Sequence, residues 1–231
     1  MPIGELHTQG HNMRQTNKAT NPTMESIAET RRIYSVVFEQ KETPPPQSVL
    51  ITSGSKGEGK TTLACNLAVL AARDQGKKVL IIDYNWFAPA VHTQFMIPER
   101  SHTASHNEPE NALDLVTQVP GIHGLSVLTA ADFSSATRQS TNSLETEISA
   151  FMTEAPKIYE QIFIDASSVY PTNRNMNDPM LLAKATDGVI LIALTNVTPK
   201  SKTKRACYAL QSNGAQVLGV VANEWRNPLV Q

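Results

Sequence analysis

Residues 48–89, SVLITSGSKGEGKTTLACNLAVLAARDQGKKVLIIDYNWFAP, leave few folds open to this chain. An apolar run, Val49 to Ile51, feeds a glycine-rich turn. The turn opens a helix-patterned segment, which returns as a second apolar run, Val79 to Ile82, ending at Asp83. Continuous apolar runs joined through a helix mark parallel strands buried on both faces. Within the turn, Gly54, Gly59, Lys60 and Thr61 satisfy G-x-x-x-x-G-K-[ST] between a strand and a helix, the context that the phosphate-binding loop requires. Glycines let successive backbone N–H groups point into one concavity suited to phosphate oxygens, and the positive end of the next helix adds to the field. The turn Gly54, Ser55, Lys56, Gly57, Glu58, Gly59, Lys60, Thr61 and Thr62 is therefore assigned to a nucleotide's phosphates. Lys60 is the cation for the outer phosphates and Thr61 the hydroxyl ligand for Mg²⁺. An ordinary glycine-rich turn would leave the Gly-Lys-Thr order unexplained.

Such a site keeps Mg²⁺ on waters, phosphates and one or two carboxylates. Two apolar runs end in aspartate, Asp83 after Val-Leu-Ile-Ile and Asp165 after Ile-Phe-Ile. Ligands of open α/β sheets gather at the carboxyl ends of the strands. Asp83 and Asp165 are thus assigned with Thr61 to the metal, and with Lys60 to catalysis. A lone Asp after a strand is often only a turn residue. Two in this order behind a phosphate loop favour the metal.

The rest of the chain sets the frame. Its 231 residues predict one domain with appendages: a disordered tail over 1–23, a helix and Pro-rich link over 24–46, and a nucleotide-binding domain over 47–231. The class is α/β, a mostly parallel sheet with helices on both faces. Helices are predicted over Met24 to Gln40, Ala112 to Val119, Asn142 to Met152, Asp178 to Ala185 and Lys200 to Gln211. Strands are predicted at Leu125 to Leu128, Ile162 to Asp165, Val189 to Leu194 and Gln216 to Val221. Asn85 to Phe95 reads as a loop, and Glu99 to Asn111 as a polar, mobile stretch. A net charge of −1 offers no global field for nucleic acid. No apolar stretch reaches the roughly 18 residues of a membrane span, and no signal-peptide pattern is present, so a cytoplasmic location is expected. Cys65 and Cys207 read as small buried hydrophobes. His102 and His106 lack a third metal ligand nearby, and Lys200, Lys202, Lys204 and Arg205 read as a solvated helix face. Trp86 and Phe87 either mark a partner surface or pack under the loop of Pro89.

From about Glu25 to Asn223 the chain resembles the P-loop tyrosine kinases of bacteria that serve capsule and exopolysaccharide assembly, within a class shared with the Min and Par ATPases. SGSKGEGKTT, KKVLIIDYN, YEQIFIDAS, ATDGVILIA and AQVLGVVANE carry the likeness. The resemblance implies a Min/Par-like P-loop NTPase fold, ATP and Mg²⁺ as cofactors, and a membrane polysaccharide copolymerase or chain-length regulator as partner. Membrane association would then come through that partner. It also implies homo-oligomer contacts through Glu29 and Arg32 of IAETRRIY, and offers Asn223 as an adenine contact. A plain strand-ending Asn is the alternative for Asn223. The departures are Asn85 for the second Asp of the family's Asp-x-Asp, Trp86-Phe87-Ala88 where a basic residue belongs, Ser167 and Ser168 for prolines, Ser35 for the last Arg of the helix motif, and no tyrosine after Tyr208. An amide cannot take a proton near neutral pH. The reading is a kinase-like ATP-binding protein with tyrosine autophosphorylation weakened or lost.

Overall fold

Alternating apolar residues on each strand decide how this chain folds. In β1 (Ser48–Ser53), Val49 and Ile51 face one way and Leu50 the other. The same split separates Val79 and Ile81 from Leu80 and Ile82 in β2 (Val79–Asp83), and Phe163 from Ile162 and Ile164 in β5 (Gln161–Asp165). Every residue of these three strands is buried, so both faces must be covered. One face is covered by α1 (Met24–Phe38) and α2 (Lys60–Arg73). The other is covered by α4 (Ala130–Gln139), α5 (Leu144–Ile158), α6 (Pro179–Ala183) and α7 (Lys200–Ser212). The strands β3 (Thr117–Gln118), β4 (Leu125–Leu128), β6 (Gly188–Leu194) and β7 (Val217–Asn223) complete a seven-stranded sheet in the order β3-β4-β2-β5-β1-β6-β7. All its pairs are parallel except β3 with β4.

The computed structural model describes residues 24–40, 44–98, 111–139, 143–170 and 177–224. The tail over 1–23, the stretch with His102 and His106, and part of the Pro-rich link lie outside the described residues. No described helix is long and apolar enough to cross a membrane. α1 docks through Tyr34 and Phe38. The Tyr34 hydroxyl donates to Gln161 Oε1 at 2.9 Å, and Phe38 meets Phe163 edge-on at 5.6 Å between ring centres.

Several elements differ from the sequence expectation. The predicted loop after Asp83 contains the single-turn α3 (Val91–Gln94). Ala112 to Val119 is not one helix: a 3-10 turn covers Ala112–Leu115, and the chain then extends into β3. α4 forms where the sequence pattern predicts no helix. Its Ser/Thr-rich sequence has little helix preference. It is held by a reciprocal cap, in which Thr129 Oγ1 donates to Asp132 Oδ2 at 2.7 Å and Asp132 N donates back at 3.2 Å, and by the burial of Phe133. α5 runs on to Ile158 with Pro156 in its last turn, although the ring removes the N–H that would bond the carbonyl four residues back.

Candidate nucleotide site

The phosphate loop joins β1 to α2 at the carboxyl edge of the sheet. Gly57 (φ 81°) and Gly59 (φ 97°) take left-handed backbone that side chains resist. Gly59 is doubly constrained, because a Cβ there would lie 2.5 Å from Asn223 Nδ2. That amide donates to Glu58 O at 2.9 Å, so Asn223, offered by resemblance to adenine, braces the loop itself. Lys60 is buried, and its Nζ donates to Ser53 Oγ at 3.1 Å. Ser53 Oγ in turn donates to Ser55 O at 2.6 Å. Burial pushes the Lys60 ammonium below its ordinary pKa, against the upward pull of Asp165 and Glu58. The Glu58 carboxylate is also buried. It accepts the Ser55 N–H at 3.0 Å on Oε2 and the Thr198 hydroxyl on Oε1.

Asp83 and Asp165 fall on the α2 face by strand alternation and are register partners across β2 and β5. α2 begins on that face, so Thr61 Oγ1 reaches Asp165 Oδ2 at 2.5 Å. Asp165 Oδ1 is buried and has no hydrogen-bond partner among the described residues. Burial first, and the Asp83 charge second, push the Asp165 carboxyl up to about 7, against Thr61 and Lys60. Burial also raises Asp83, opposed by the N–H groups of Val91, Asn85 and Ala90. Those bonds, at 3.1, 3.0 and 2.9 Å, commit both Asp83 oxygens to the chain leading into α3. An open buried carboxylate oxygen beside a hydroxyl and a second carboxylate suits a hard cation such as Mg²⁺. Among the described residues no group of three or more His, Cys, Asp or Glu is placed to hold a metal. The remaining ligands of such a cation would be phosphate and water oxygens.

Beyond the carboxylates, Asn85 Nδ2 donates to Ala88 O at 2.9 Å and shapes the loop. Trp86 and Phe87 divide the two readings between them. Trp86 packs edge-on against Tyr84 and Phe133, at 5.4 and 6.0 Å, whereas Phe87 is exposed. Cys65 is buried, as expected, and Cys207 only half-buried. The structure brings the loop, Asp83, Asp165 and Asn223 together and leaves Glu29 and Arg32 elsewhere. They are exposed on α1, which is tied to Asp74 at the far end of α2 through Arg31 and to Gln161 at the start of β5 through Tyr34. Sequence reasoning missed Ser53 and Thr198, since neither belongs to a motif.

Comparison with known proteins agrees with this geometry. The CobQ/CobB/MinD/ParA nucleotide binding domain matches residues 49–230. The tyrosine-protein kinase YwqD of Bacillus subtilis is 30% identical over 177 residues, covering 77% of this chain and 72% of the relative. The crystal structure of the chimerical protein CapA2B2 superposes with a TM-score of 0.68 at 25% identity, covering 90% of this chain and 87% of that one. The MinD protein of Pyrococcus horikoshii, solved with Mg-ADP, shares the fold at 18% identity and a TM-score of 0.59, over 78% of this chain and 70% of its own. The chain therefore belongs to the CobQ/CobB/MinD/ParA nucleotide-binding domain family, with bacterial tyrosine-protein kinases among its relatives.

Proposed function

We propose that the protein binds ATP with Mg²⁺ in the loop 54–62 and acts as a kinase-like, nucleotide-gated regulator of exopolysaccharide or capsule assembly, with tyrosine autophosphorylation weakened or lost. The observation that carries the reading is Asn85. At the position where the resemblance sets a proton-accepting Asp, an amide uses its Nδ2 to fold its own loop onto Ala88. Asp83 beside it is occupied by three N–H groups. Neither is free to draw a proton from a tyrosine hydroxyl. The residues of the binding half are all present: Lys60 and the loop amides would face the phosphates, and Thr61 and Asp165 would hold Mg²⁺. When bound, Mg²⁺ supplies positive charge against the phosphate oxygens.

The intact Thr61–Asp165 pair also favours a second reading, a Min/Par-type ATPase switch or a scaffold for a membrane polysaccharide copolymerase, because a switch driven by bound nucleotide and Mg²⁺ needs no base aimed at a tyrosine. In either reading the copolymerase contact and the homo-oligomer contact through the exposed Glu29 and Arg32 belong to the proposal.

Incubation of the pure protein with γ-labelled ATP and Mg²⁺ tests it. Phosphate release, or binding alone, without labelled protein is expected; label on tyrosine overturns the loss of autophosphorylation. Any such label should sit on Tyr208. Of the chain's five tyrosines it alone is exposed, at 73%, while Tyr34, Tyr84 and Tyr159 are buried and Tyr170 is half-buried under Arg205. Restoring the base by Asn85→Asp is expected to raise turnover about 100-fold, the low side of what a placed general base contributes. Unchanged turnover would show that the missing base is not what limits the site.

A further inference from the structure

We propose that Glu58 is a positioning residue: its carboxylate keeps the phosphate loop in its nucleotide-ready form and ties the loop to the turn between β6 and α7, so that α7 responds to what the loop holds. The inference rests on nucleotide binding at the loop and adds a residue that acts through others. Glu58 is 2% exposed, and a buried carboxylate persists only where donors satisfy it. One donor, the Ser55 N–H at 3.0 Å, lies inside the loop and staples the turn across Gly57. The other, the Thr198 hydroxyl, comes from a segment 140 residues later in the chain. With both donors in place, the carboxylate does not compete with phosphate for the remaining amides.

Thr198 is itself fixed. Its N–H donates to Leu194 O at 2.8 Å, and its Oγ1 accepts the Leu194 N–H at 3.3 Å. Pro199, the next residue, begins α7 by accepting from Lys202 N at 2.9 Å. The backbone of Glu58 is held from the same side. Asn223 Nδ2 donates to Glu58 O at 2.9 Å, and Asn223 O accepts from Thr195 N and Thr195 Oγ1 at 2.8 and 3.1 Å. On the phosphate side the chain of contacts begins at Lys60, which donates to Ser53 Oγ, and Ser53 Oγ donates to Ser55 O. A nucleotide whose outer phosphate, the β-phosphate of ADP included, draws Lys60 away from Ser53 removes the first of these contacts. The disturbance then has a continuous hydrogen-bonded route through Ser55 and Glu58 to Thr198 and the first turn of α7.

The test compares Thr198→Val, Glu58→Gln and Thr198→Ser, which keeps the hydroxyl. Hydrogen exchange without nucleotide is read first. Amides 55–59 are expected to exchange about tenfold faster in Thr198→Val and Glu58→Gln than in the wild type, with Thr198→Ser close to wild type. Equal exchange in all four proteins overturns the positioning role, and this readout does not depend on whether the protein binds nucleotide. Mg·ADP is then added. The wild type and Thr198→Ser should gain protection at 195–206, whereas Thr198→Val and Glu58→Gln should bind ADP about tenfold more weakly and lose that gain. Binding in the wild type without any protection at 195–206 overturns the link to α7.

Discussion

Lys60→Ala is expected to weaken Mg·ATP binding about 10- to 150-fold, the equivalent of the ~1.5–3 kcal/mol typical of a hydrogen bond to a charged partner. The ammonium is buried and held by Ser53 Oγ at the mouth of α2, so little side-chain order remains to be lost when phosphate replaces Ser53 as its partner. Burial disfavours the charged form while Asp165 and Glu58 favour it, so a triphosphate adds negative charge where the lysine is short of it. Alanine removes the cation and also the group that opposes the rise of Asp165. Calorimetric titration with Mg·ATP measures the change. An affinity equal to that of the wild type would remove the phosphate loop from the functional argument.

Asp165→Asn is expected to have two large and opposite effects. The nucleotide-free protein should become more stable at pH 8, and Mg²⁺-dependent ATP binding should be lost. The sign follows from proton linkage. The Asp165 carboxyl is raised from 3.8 to about 7 in the folded chain, chiefly by burial and then by Asp83. Between these values the folded state holds a proton that the unfolded state has released. Stability therefore falls as pH climbs from about 4 to about 7, by an amount on the order of a few kcal/mol at ~1.4 kcal/mol per pKa unit. Asp83, raised by its own burial, acts with the same sign. Asparagine can still accept from Thr61 and carries no charge, so the gap between variant and wild type should open at high pH and close towards pH 4. Urea midpoints at pH 5 and pH 8 decide this. A variant less stable than the wild type at pH 8 would mean that the buried carboxylate is well solvated or paired in the free protein. Such a penalty, carried for a bound cation, is one way in which a binding site lowers stability.

Legibility in the sequence follows the range of the interaction responsible. The strands β1, β2, β4, β5 and β6 are readable because strands covered on both faces need unbroken apolar runs, and the edge strand β7, which has no buried residue, is readable from its own apolar run. α4 is not, because what holds Ala130–Gln139 is Phe133 against Tyr84 and Phe151, at ring distances of 6.0 and 5.3 Å, rather than any helix preference of its own. β3 exists only because β4 offers Thr117 and Gln118 an antiparallel edge. Trp86 shows the same limit. Its neighbours in sequence leave packing and exposure equally open, and Phe133 from α4 decides for packing.

In the site, the loop, Lys60, Thr61 and the two aspartates are legible in the chain itself, because a phosphate cradle is built from consecutive residues and a strand-ending Asp sits at a predictable edge. The partners of those residues are not. Whether Asp165 stands beside Asp83, whether Asn223 reaches Glu58 and whether Thr198 caps a buried carboxylate all depend on the strand order β2-β5-β1-β6-β7, which brings distant segments to one edge. Local chemistry is written in spacing along the chain and is readable there. The burial that raises Asp165 and the bonds that brace the loop arise only once packing has excluded water from that edge.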